Sequence, residues 1–88
     1  MARVVMVVKI MPSDTDVNLE ELIDRIRKGV PEGVELREAK IEPLAFGMSV
    51  IEAAFTMSEE EGITDKLEQS LRKIPQIGEI DVIMVSRL

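Results

Sequence analysis

The sequence predicts an α+β fold in which two helices pack on one face of a four-stranded antiparallel sheet. Three observations lead there. Four apolar, β-rich runs alternate with two segments of helical periodicity in the order β-α-β-β-α-β. The midpoint, Glu42-Pro43-Leu44-Ala45-Phe46-Gly47-Met48, reads as a turn between two strands: Pro43 cannot donate to a sheet ladder and Gly47 tolerates angles closed to other residues. Finally, the halves echo each other, Ile26-Arg27-Lys28-Gly29-Val30-Pro31-Glu32-Gly33 against Leu71-Arg72-Lys73-Ile74-Pro75-Gln76-Ile77-Gly78. Two similar β-α-β units define the ferredoxin-like βαββαβ two-layer sandwich, and 88 residues suit a single domain over 1–88. Right-handed crossovers then put the first and third strands at the centre of the sheet.

Each element has its own signature. Val4 to Ile10 is β-branched and apolar at nearly every position, as a central strand requires. Pro12-Ser13-Asp14-Thr15-Asp16 forms a turn cluster. Asn18, three residues before Glu21, approximates a capping box, and Leu19, Leu22, Ile23, Ile26 and Val30 follow at helical spacing. Gly29 and Pro31 end that helix. The run Glu35 to Glu42 is heavily charged, which protects an edge strand against unwanted pairing. Met48 to Met57 is the third strand. After the polar break Ser58-Glu59-Glu60-Glu61-Gly62, Thr64 is expected to cap a second helix with Ile63, Leu67, Leu71 and Ile74 inward, closed by Pro75 and Gly78. Ile80 to Val85 is the last strand. Apolar residues on both faces of strands one, three and four predict an exposed apolar surface, the kind that marks a partner site or a dimer seam.

Composition removes several chemistries. The chain has no cysteine and no histidine, so disulfides, thiolate or imidazole metal sites, and His-assisted nucleophiles are excluded. A net charge of −6 disfavours nucleic acid and anionic membranes and favours a partner with a basic surface. The apolar start of the chain is broken by Lys9 and is too short to span a bilayer. Glu59-Glu60-Glu61 lacks the spacing of a calcium loop and reads as a solvated turn. The five glycines are dispersed, so there is no phosphate loop. Base stacking would have only Phe55 on the central strands. Catalytic residues, cofactor and metal are all expected to be absent. Phe46 beside its turn glycine could cap the core under the hairpin, and Arg87 could be a frayed end.

The opening strand into Met11-Pro12, the run Asp16 to Leu22, the central Glu42-Pro43-Leu44-Ala45-Phe46-Gly47 and the ending Val85-Ser86-Arg87-Leu88 give those two residues another reading. Together they resemble the archaeal translation elongation factor 1-beta family, guanine nucleotide exchange factors for elongation factor 1-alpha. The resemblance covers the whole chain and carries the same fold. It implies that Phe46 inserts into the nucleotide-binding domain of the GTPase and that the basic position near the end reaches the magnesium site. That position is lysine in the larger eukaryotic relatives and Arg87 here, a planar and bulkier cation. The contact set it implies is Leu44, Phe46, Gly47, Met48, Arg87 and Leu88. The implied protein is cytoplasmic, is not an enzyme, binds the GTPase in its GDP-bound and nucleotide-free forms, binds no nucleic acid or membrane directly, and is a monomer or weak homodimer. The alternative is a ferredoxin-like small-molecule-sensing domain that dimerises through its open sheet. A third class, an acylphosphatase-like enzyme, needs an arginine cradle and an orienting amide. Asn18, the one asparagine, is better explained as a helix cap.

Overall fold

The computed structural model describes residues 2–88. The elements are β1 (Arg3–Pro12), α1 (Leu19–Gly29), β2 (Val34–Pro43), β3 (Ser49–Ser58), α2 (Ile63–Arg72) and β4 (Ile77–Arg87). The sheet order is β2-β3-β1-β4, with each neighbouring pair antiparallel. The order, the central position of β1 and β3 and the two covering helices are those of the ferredoxin-like fold expected from the sequence.

Period-two alternation builds the core. Val4, Met6, Val8 and Ile10 of β1 are buried, and the residues between them are only half-buried. Their cross-strand partners are Met57, Phe55, Ala53 and Ile51. Over these pairs lie Leu22 and Ile26 of α1 and Ile63, Leu67 and Leu71 of α2. Asn18 caps α1 as expected, its Oδ1 accepting the Glu21 amide at 3.1 Å, which satisfies one of the orphan donors of the first turn.

Among the described residues, no helix covers the other sheet face. A row of alternating charge, Asp81, Lys9, Glu52 and Lys40, stands in register across all four strands. Above it lie half-buried Val5, Val7 and Ala54, and Arg3 Nη2 donates to Thr56 Oγ1 at 3.1 Å. Of the strands expected to expose apolar surface, β4 does so through Ile83, Met84 and Val85: Met84 lies opposite Val7 on this face, and Val85 opposite Met6 on the helix-covered face. The pairing with β1 shifts there, between Val7 and Val8, so Ile83 has no cross-strand partner. Such a bulge blunts an edge against further pairing.

Three expectations about the second half are corrected. Thr64 is not the cap of α2: Gly62 holds that position at φ 76, and the helix already includes Ile63. Ile74 packs against the core from beyond the helix, which ends at Arg72. Gly78 does not close the helix but belongs to β4. There a Cβ would stand 3.0 Å from the Pro12 carbonyl oxygen, so close approach of two backbones requires the glycine. Its echo, Gly33, is needed for a different reason, a φ of 88 at the entrance to β2.

Candidate interaction site

The β2–β3 turn is built from the backbone outward. Met48 N–H donates to the Ala45 carbonyl (3.5 Å), and the Met48 carbonyl accepts from Leu44 N–H (2.6 Å). Between them Phe46 (φ 64, ψ 31) and Gly47 (φ 73) both have positive φ, the requirement of a type I′ hairpin turn. Glycine and asparagine suit such positions. A phenylalanine there costs about 1–2 kcal/mol from crowding between Cβ and the backbone. Phe46 is the one non-glycine residue with positive φ among those described.

Phe46 is also 97% exposed, so its ring does not cap the core. Leu44 and Met48 flank it, half or more of each covered, and Ile41 adds a further exposed apolar side chain nearby. A notch of ≈ 300 Å³ opens beside the turn, lined by Pro12, Ser13, Thr15, Leu19, Gly47 and Met48. Ile41 was not singled out from the sequence. Counted from buried Val34 and Leu36, strict alternation would put it on the open face, and the bulge between Leu36 and Glu38 brings it opposite Ile51 near the mouth of the hairpin.

Arg87 and Leu88 lie elsewhere. Arg87 pairs with Val4 at the far end of β1, and Leu88 N–H donates to the Arg3 carbonyl (2.9 Å). Arg87 Nε donates to Glu59 Oε1 at 2.7 Å, and its Nη2 donates to the same oxygen. Leu88 is 73% exposed. The six residue steps of β1 from Val4 to Ile10 separate the Arg87 end from Ile10–Ile51, the last β1–β3 pair before the turn, about 20 Å at strand rise. The structure therefore brings Leu44, Phe46, Gly47 and Met48 together, brings Arg87 and Leu88 together, and holds the two groups at opposite ends of the sheet. Glu59 was read as part of a solvated acidic run. Only the topology, which ends β3 and β4 on either side of the start of β1, reveals its partner.

One end of the sheet thus carries an exposed aromatic on a left-handed backbone, and the other an arginine held by a carboxylate. The model of the EF-1 guanine nucleotide exchange domain matches residues 5–88, and the chain belongs to that family. It is 38% identical to elongation factor 1-beta of Staphylothermus marinus, over 100% of this chain and 99% of that protein. It is 39% identical to elongation factor 1-beta of Methanothermobacter thermautotrophicus, with the same coverage, and 37% identical to that of Archaeoglobus fulgidus over 93% of each chain.

Proposed function

We propose that this chain is a cytoplasmic guanine nucleotide exchange factor for translation elongation factor 1-alpha, promoting replacement of GDP by GTP. The observation that carries the mechanism is Phe46, which is held outward in a left-handed backbone conformation at a cost to the fold. Strain of this kind persists where a function uses it. Burying the ring in an apolar pocket of the GTPase contributes about 1.5–3 kcal/mol to docking. Leu44 and Met48 widen the contact.

Arg87 supplies the other half. GDP is held by contacts to its phosphates and by Mg²⁺, which neutralises them. A guanidinium brought to the magnesium site competes for the same negative charge and loosens the nucleotide. The length of the sheet means that Phe46 and Arg87 reach different parts of the partner's surface. The factor thus spans the GTPase and does not fill a single pocket. Coupling is reciprocal: a factor that lowers nucleotide affinity is itself released when nucleotide binds. Incoming GTP completes the cycle, and no bond is made or broken.

Release of fluorescent GDP from elongation factor 1-alpha, in excess GTP, tests the reading. Acceleration that saturates with this chain is expected. No acceleration of an active partner would overturn it.

A further inference from the structure

We infer that Glu59 is a positioning residue for Arg87, holding the guanidinium side-on so that its free end is presented to an anionic site on the partner. The inference rests on the exchange reading above and goes beyond it by giving a role to a residue in the acidic run after β3.

The geometry is specific. Arg87 donates from Nε and Nη2 to one oxygen, Glu59 Oε1. A guanidinium has five N–H donors in a rigid plane. This edge-on grip uses two of them and leaves three, including both on Nη1, directed away from Glu59. A carboxylate that met the end of the fork would consume the donors a partner needs. The neighbouring carboxylate is drawn aside, since Glu60 Oε2 accepts from Ser58 Oγ at 3.3 Å.

Both partners are anchored by backbone. Glu59 N–H donates to the Ala2 carbonyl (3.0 Å) and Leu88 N–H to the Arg3 carbonyl (2.9 Å), so the start of β1 ties down Glu59 itself and the residue after Arg87. The Arg87 side chain is 74% exposed and that of Glu59 37%, so the cation remains open to a partner while its carboxylate is mostly screened. Arginine has large rotamer freedom to lose on binding. Fixing it in advance lowers that cost.

The test is the concentration of this chain that gives half-maximal acceleration of GDP release, measured for single and double variants. Glu59→Ala is expected to raise it about two- to five-fold, the range of a surface ion pair, with the maximal rate retained. Glu59→Gln, which keeps an acceptor oxygen, is expected to fall between. In an Arg87→Ala background Glu59→Ala is expected to change nothing further. In an Arg87→Lys background the sign is expected to reverse, because an ammonium held by Glu59 has no second edge to offer. The Arg87 Nε–H resonance of the free chain, which needs no partner, is expected to shift on Glu59→Ala.

Glu59→Ala indistinguishable from the parent, with Arg87→Ala weakened, would overturn the inference and leave the exchange reading standing. Tighter action of Glu59→Ala would overturn it too, since Glu59 would then be masking the cation. Failure of the parent chain to accelerate release would remove the exchange reading and this inference with it. An unshifted Arg87 resonance would overturn the ion pair and this inference with it, while leaving the exchange reading standing.

Discussion

Phe46 and Arg87 stand at opposite ends of one sheet, the first in the turn beyond the Ile10–Ile51 pair and the second opposite Val4. Both ends are set by β1, which pairs with β3 on one side and β4 on the other. The long axis of the molecule is 43 Å, so a partner touched at both ends must be engaged over a wide footprint.

Phe46 should trade stability against function. Phe46→Gly removes a side chain from a left-handed position without uncovering anything, because the ring is already in solvent. Relief of crowding exceeds the added chain entropy of glycine, so a net gain of about 0.5–1 kcal/mol is expected. Thermal unfolding should show a higher Tm while acceleration of GDP release falls. A lower Tm would mean that the ring supports the fold.

Phe55 is the opposite case. It is fully buried across from Met6 under the helices. Phe55→Ala should cost about 3–5 kcal/mol, a large share of the 5–15 kcal/mol typical of small domains. Denaturant unfolding would reveal it as a lower midpoint. The two phenylalanines of the chain are thus separable by experiment, one predicted to hold the fold and the other to serve contact with the GTPase.

Two glycines should fail for different reasons. At Gly78 a Cβ meets the Pro12 carbonyl oxygen and Ser13 Cα, both at 3.0 Å and both backbone. Gly78→Ala must push β4 from the start of the β1–α1 loop, at a cost of about 1–3 kcal/mol. At Gly47 nothing lies within 4 Å, but φ is +73. Gly47→Ala should cost about 1 kcal/mol by backbone strain alone and leave the core intact. Chemical-shift changes confined to the hairpin in Gly47→Ala, but spread through β1 and β4 in Gly78→Ala, would distinguish them.

A pH effect follows from the open face. The Glu52 carboxyl hydrogen-bonds with Glu42 and faces its charge, which together raise its pKa above the ordinary 4.5 against the opposing pull of Lys9 and Lys40. The folded chain therefore holds a proton that the unfolded chain releases, between the ordinary value and the raised one. Stability from this group is present below that window and is lost as pH rises through it. Glu42→Gln should give a small rise in Tm at neutral pH that disappears as the pH falls to about the ordinary value. An equal rise at both pH values would exclude this cause.

Much of the fold was legible because strand and helix periods are written plainly. β1, α1 and the inward residues Leu67 and Leu71 follow from spacing alone. The cap expected at Thr64 and the helix end expected at Gly78 are the misplaced details, because a glycine's letter does not say whether it serves a positive φ, as at Gly62, or a close approach, as at Gly78. The motif around Phe46 was legible, but its left-handed backbone was not, since a type I′ turn normally advertises itself with asparagine or glycine. Glu59 and Arg87 are far apart in sequence, so their pairing belongs to topology. The same holds for the separation of Phe46 from Arg87, which only the antiparallel register fixes.

The central claim is that exchange works through both ends of the sheet. The most direct measurement is GDP release from elongation factor 1-alpha driven by the parent chain, Phe46→Ala, Arg87→Ala and the double variant. Residues this far apart contribute independently, so each single change should weaken acceleration and the double variant should show the sum of their free-energy losses. Acceleration unchanged by Phe46→Ala, or unchanged by Arg87→Ala, would contradict the account.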